Sequence, residues 1–205
     1  LRAALNALVT HTMNKSFLSR IRPPSVALLV ASVLGIAACG ENIFDVKWVN
    51  PNRQTVLLYS LTRPDLNVPS GYDFVNRVPV EIQEAGATGS WDLLVDMRDG
   101  QLVFIPPRAL GIDSDVMVLP MPGMSFDEVL EAPEDSTLYI TDQPIPAEEG
   151  TTYILRTHEG QSDFGIPCVF WGKFETTEVH PDAETVVFIY DVSPLCDDRG
   201  LVPTG

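Results

Sequence analysis

Two segments near the C-terminus, Val169–Thr177 and Thr185–Val192, alternate apolar and polar residues and flank the turn-like run His180-Pro181-Asp182-Ala183. Alternation on both sides of a short turn is the signature of a β-hairpin. A hairpin centred on Asp182 sets Phe174 against Tyr190, Lys173 against Asp191 and Cys168 against Cys196. The even-numbered positions then carry Phe170, Phe174, Val186, Phe188, Tyr190 and Val192 on one face, together with both cysteines. Directly opposed residues of an antiparallel pair lie about 4.5–5.5 Å apart, a distance that a disulfide can bridge. A hairpin with one wholly apolar face needs a second layer to cover it.

The rest of the chain supplies strands for that layer. Trp91, Leu93, Val95 and Met97 alternate towards Asp99-Gly100, and Leu102–Ile105 returns. Asp-Gly is a favoured two-residue hairpin turn, and the register it sets pairs Met97 with Leu102 and Val95 with Phe104. Thr55–Leu61, Val78–Ile82, Val116–Leu119, Thr137–Thr141 and Thr151–Thr157 read as further strands, and a first one begins at Phe44 (Phe44, Val46, Trp48). Pro79 marks Val78–Ile82 as a sheet edge. Arg63–Asn76, with two prolines and a Gly-Tyr pair, reads as a long loop. Ser125 and Glu128 fit a capping box, which predicts one short helix from Ser125 to about Ala132, stopped by Pro133.

Near the N-terminus, Arg20 and Arg22 precede an apolar run, Val26–Ala38, too short for a membrane span of about 20 residues. Its length suits the core of an export signal. Met13, followed by Asn14 and Lys15, is read as the translation start. The run ends Ile36-Ala37-Ala38-Cys39, which resembles the lipobox of bacterial lipoproteins: an aliphatic residue and two small residues before a cysteine. The resemblance covers the signal segment alone. It implies removal of residues 1–38, diacylglycerol on the Cys39 thiol and usually a further acyl chain on the new N-terminus. Two or three chains anchor stably where one does not. Gly40, in place of an aspartate that resembles an inner-membrane retention signal, points to the outer membrane. Residues 39–43 would form a short tether reaching roughly 17 Å, and residues 44–205 a single β domain held close to the bilayer.

Assigning Cys39 to lipid leaves Cys168 and Cys196 as the remaining cysteines, and an oxidising compartment favours their disulfide. The cleavage also removes Arg2, Lys15, Arg20 and Arg22, leaving 9 cationic residues against 28 acids, a net charge of −19. That excludes nucleic acid as a partner and disfavours docking on anionic lipid heads.

The chain carries no G-x-S-x-G, H-E-x-x-H or P-loop pattern, and no cofactor is implied. A zinc set of His158, His180, Cys168 and Cys196 would need reduced thiols in an oxidising compartment. The acidic pairs Asp113/Asp115, Asp182/Glu184 and Asp197/Asp198 could supply calcium ligands or a hydrolytic carboxylate pair, but solvated loop carboxylates are the weightier reading. Met117, Met121 and Met124 suit Cu(I) in principle and core filling in practice. Trp48 and Trp91 fall on core faces, whereas Trp171 lies on the hairpin face opposite the cysteines.

Ile145–Tyr153 (IPAEEGTTY) resembles the corner before a late strand of fibronectin- and immunoglobulin-type sandwiches. There a tyrosine hydroxyl bonds back to upstream backbone, the role this resemblance implies for Tyr153. The expected fold is therefore an all-β antiparallel sandwich with one short helix, with a small β-barrel as the alternative. The expected role is a non-catalytic envelope module that binds a protein or small ligand or serves structurally; an envelope hydrolase using loop carboxylates is the competing class.

Overall fold

The structure is a computed structural model, and it describes residues 47–65 and 67–204. The C-terminal hairpin is its longest unit: β11 (Trp171–His180) and β12 (Thr185–Val192) pair antiparallel, with Phe174 opposite Tyr190 and Lys173 opposite Asp191, as the sequence predicts. The turn lies half a residue beyond the expected centre, so that His180 pairs with Thr185, and a β-bulge between Thr176 and Glu178 restores the register. Such a bulge leaves one residue unpaired, here Thr177, and the apolar residues that follow keep their face. Phe174, Val186, Phe188, Tyr190 and Val192 all enter the core.

Around this hairpin the chain adds β1 (Gln54–Tyr59) beside β12, and β8 (Thr152–Arg156) and β6 (Met117–Met121) beyond β11. The second sheet has the order β3 (Val78–Val80), β2 (Gly71–Asp73), β4 (Leu93–Arg98), β5 (Gln101–Ile105) and β7 (Ile145–Pro146). The β4–β5 hairpin has the expected pairs, Met97 with Leu102 and Val95 with Phe104. Asp99 and Gly100 both take positive φ, the geometry that Asp-Gly turns favour. Val78–Val80 is an edge strand, where Pro79 costs no ladder bond on its open side. A short ribbon of β9 (Gly160–Gln161) and β10 (Pro167–Cys168) completes the set. All pairings are antiparallel, and the two five-stranded sheets form a sandwich; neither closes into a barrel.

The space between the sheets is filled with aromatic rings. Tyr153 stacks on Phe174 with ring centroids 4.8 Å apart, and Phe104 meets Phe174 edge-on at 5.1 Å. Pairs in these geometries contribute about 0.5–1.5 kcal/mol beyond the area they bury. Two hydroxyls stay inside without penalty, because Tyr72 and Tyr190 bond each other at 2.7 Å and Tyr190 also donates to Gln54. Trp171 packs outside this core, in a second layer with Tyr139, Val129 and Leu201.

Several expected elements differ. Phe44 and Val46 lie outside the described residues; residues 47–53 are not a strand, although Trp48 is buried. The expected loop Arg63–Asn76 contains β2, a buried central strand of three residues. The expected helix at 125–132 is only a turn. Half of its capping box forms: the Ser125 N–H donates to Glu128, but the Ser125 hydroxyl donates to the same carboxylate and the Glu128 N–H turns to the Ser125 carbonyl. Backbone groups of the segment are held from elsewhere, however, including the Phe126 carbonyl and the Ala132 N–H that a helix would pair internally. The Phe126 N–H donates to Glu175, Lys173 Nζ donates to the Phe126 and Val129 carbonyls, and the Ala132 N–H donates to the Arg199 carbonyl. The helical content of the described residues is instead two 3-10 turns, Pro107–Leu110 and Ser136–Leu138. The latter replaces most of the expected strand Thr137–Thr141, with Asp135 capping it through the Thr137 N–H. Ile140 alone bridges to Val118.

Candidate functional site

Asp92 is the last residue before β4, and its backbone N–H donates to the Tyr72 carbonyl of β2. That fixes its side chain at the end of the second sheet with no solvent exposure. Its Oδ2 accepts from the Phe74 N–H at 2.7 Å; its Oδ1 accepts from the His158 N–H at 2.6 Å and contacts His158 Nδ1 at 2.8 Å. His158 follows β8 of the other sheet, so this one carboxylate joins the two layers. Asp73, at the end of β2, is also buried, and its two oxygens accept from the N–H and Nδ2 of Asn76.

Burial alone would lower the pKa of the His158 imidazole. The hydrogen bond to Asp92, and the negative charge of Asp92 and Asp73, outweigh burial and raise it. The donor atoms of Asp73, Asp92 and His158 lie within 4.8 Å of one another, the spacing a metal ion could use. Yet all four carboxylate oxygens already accept from five nitrogen groups. The arrangement is therefore a clasp: it satisfies backbone donors at the sandwich end and holds the imidazole in one orientation.

Two open clefts meet at His158. One, of about 500 Å³, runs between the turn after β2 (Val75, Asn76, Arg77) and the β9 region (Gly160, Gln161). The other, of about 360 Å³, is bounded by Arg108, Asp113, Ser114 and Asp115. The first mixes the Arg77 cation with the carboxylates of Glu159 and Asp163, the Asn76 and Gln161 amides, the His158 ring and apolar surface.

The sequence-derived site residues are placed as follows. Cys168 and Cys196 are disulfide-bonded, with Cα atoms 5.8 Å apart. Cys196 lies past the end of β12, not in the ladder, and Cys168 pairs instead with Gly160 in the short ribbon. Tyr153 takes the corner role: its hydroxyl donates to the Pro146 carbonyl at 2.7 Å and accepts from the Glu148 N–H at 3.0 Å. Cys39 lies outside the described residues. The imagined zinc set does not assemble, since both thiols are consumed and His180 pairs with Glu178 at the other end of β11. Met117 and Met121 pack on the second hydrophobic layer, while Met124 is exposed.

The three acidic pairs lie apart from one another. Asp113 and Asp115 line the second cleft with Arg108 and Glu159, Asp182 and Glu184 sit in the β11–β12 turn, Asp197 caps the Val169 N–H, and Asp198 caps the Gly200 N–H. Asp92 and Asp73 were not legible as site residues, because the Asp92–His158 contact spans 66 positions, Asp73 lies still farther from His158 in sequence, and neither follows a local pattern. Compared with protein families and with curated proteins, the chain matches no family model and no curated sequence.

Proposed function

We propose that the protein is a lipid-anchored module of the cell envelope, held at the outer membrane through lipid on Cys39, with a non-catalytic binding or structural role. The anchor half of this reading is supported by the sequence Ile36-Ala37-Ala38-Cys39 and the export signal before it. The observation that carries the non-catalytic half is the state of the Asp73–Asp92–His158 clasp. Its carboxylates are buried and already occupied by backbone and side-chain donors, so they are poorly placed to attack or protonate a substrate. The open cleft beside His158 is the surface on which an envelope protein or small ligand would be held.

Two measurements test the halves separately. Intact mass of the membrane-extracted protein should match a chain that begins at Cys39 and carries diacylglycerol, and Cys39→Ser should move the protein to the soluble fraction. For the binding half, a photoreactive residue in place of Gln161 should give a discrete adduct in native envelopes. Turnover of an envelope polymer that Asp92→Asn abolishes without unfolding the domain would overturn the non-catalytic reading.

A further inference from the structure

Several features emerge at one end of the sandwich. Residues 47–53 lead into β1 at Gln54, which lies opposite Tyr190 near the end of β12. β8 ends at Arg156, opposite Trp171 at the start of β11, so the β9–β10 ribbon leaves the sandwich at that same end. The disulfide Cys168–Cys196 ties the base of the ribbon to the segment that follows β12. Asn52, whose N–H donates to Asp191, is held at this end, and from Cys39 to Asn52 the chain can reach at most roughly 44 Å, so a lipid on Cys39 would tether the domain to the bilayer through this end.

The ribbon's tip is apolar and outward. Phe164 is 65% exposed and Ile166 is 61% exposed, the two highest values among the exposed large hydrophobics of the described residues. A tight turn holds them there: the Gly165 N–H donates to the Ser162 carbonyl, and the Ile166 N–H donates to Ser162 Oγ. Gly165 has φ +71°, a conformation that suits a residue without Cβ. Exposed acids flank the tip (Glu159 and Asp163), so an anionic surface would repel it.

We propose that this tip is a membrane contact, in which Phe164 and Ile166 enter the apolar boundary of a zwitterionic lipid surface beside the anchor. The inference rests on the anchor reading above. Two side chains bury too little area to bind alone, so the contact orients a domain that the lipid already holds. It would turn the cleft beside His158, which Gly160, Gln161 and Asp163 help to line, towards the membrane side of the domain.

The test uses the lipidated full chain in phosphatidylcholine vesicles, with Phe164→Trp and, at the opposite end, Gln101→Trp. Brominated acyl chains should quench the added fluorescence of F164W at least about twofold more than that of Q101W, with a blue-shifted emission on vesicle binding. Equal quenching in protein that floats with the vesicles would overturn the contact and leave the anchor standing. Lipid-independent recovery in the soluble fraction would overturn the anchor, and the contact with it.

Discussion

Asp92 grips His158 twice, through the backbone N–H at 2.6 Å and the ring Nδ1 at 2.8 Å, and so fastens the end of one sheet to the other. A third bond, from the Phe74 N–H, leaves no side of the carboxylate idle. Asp92→Ala would strand the buried Phe74 N–H and leave the His158 N–H and Nδ1, at the edge of the clefts, to whatever water can enter. An unsatisfied buried donor costs about 1–3 kcal/mol. Some relaxation is available, so a loss of about 3–4 kcal/mol is expected in chemical denaturation, with an unchanged dependence on denaturant. A loss under about 1 kcal/mol would mean that the clasp does not hold the layers.

The same pair gives stability a pH dependence. The folded-state pKa of His158 is raised above its ordinary value, because Asp92 and Asp73 outweigh the opposing effect of burial. A group with a raised folded pKa contributes stability that is complete below the unfolded value of about 6.5 and is lost as pH rises through the folded value. Unfolding midpoints measured from pH 5.5 to 9 should therefore fall over a range beginning near 6.5, and His158→Gln should flatten that fall.

The disulfide closes a loop between residues 28 positions apart. Cross-linking a loop of this size stabilises by about 3 kcal/mol, chiefly by restricting the unfolded chain. Reduction, or replacement of Cys168 and Cys196 together by alanine, should lower the unfolding free energy by that amount. Free-thiol labelling of the unreduced, denatured protein should leave both Cys168 and Cys196 unmodified.

Tyr153 both donates to the Pro146 carbonyl and accepts from the Glu148 N–H, while its ring stacks on Phe174. Tyr153→Phe keeps the ring and removes only the hydroxyl. The expected cost is about 1–2 kcal/mol, with faster hydrogen exchange at the Glu148 amide. Tyr153→Leu should cost more, since it also removes the stacked ring.

What could be read from the sequence was what the chain states locally. The β4–β5 and β11–β12 hairpins join neighbours in sequence, and their alternation and turn residues specify the register apart from the bulge at Thr177. Tyr153 was legible because its partners lie only five and seven residues upstream. β2 was hidden because its three residues sit in a proline-containing stretch and pair with strands on either side of it in the sheet. The clasp was hidden because nothing near Asp92 announces His158. The helix at 125–132 fails for a related reason: only half of its local capping signal forms, and distant side chains hold backbone groups of the segment.

Lys173 is the chief of those side chains. It is buried, and Nζ donates to the Phe126 carbonyl at 2.6 Å and the Val129 carbonyl at 2.7 Å while lying 4.6 Å from the Phe126 ring centroid. Burial lowers its pKa, but charged or not it still has hydrogens for both carbonyls. Lys173→Met keeps the apolar stem and removes both donors, so the segment from Phe126 to Ala132 loses its tie to β11. Phe126 and Val129 are themselves buried, so both carbonyls would be left without a donor, and a global loss of about 2–4 kcal/mol is expected. The local effect should be larger. Hydrogen exchange at the Ala132 and Leu201 amides should accelerate well beyond that of the core strands. Uniform acceleration across β11 and β12 would instead place Lys173 in the global core, and helix formation at 125–132 in the variant would show that the lysine alone suppresses it.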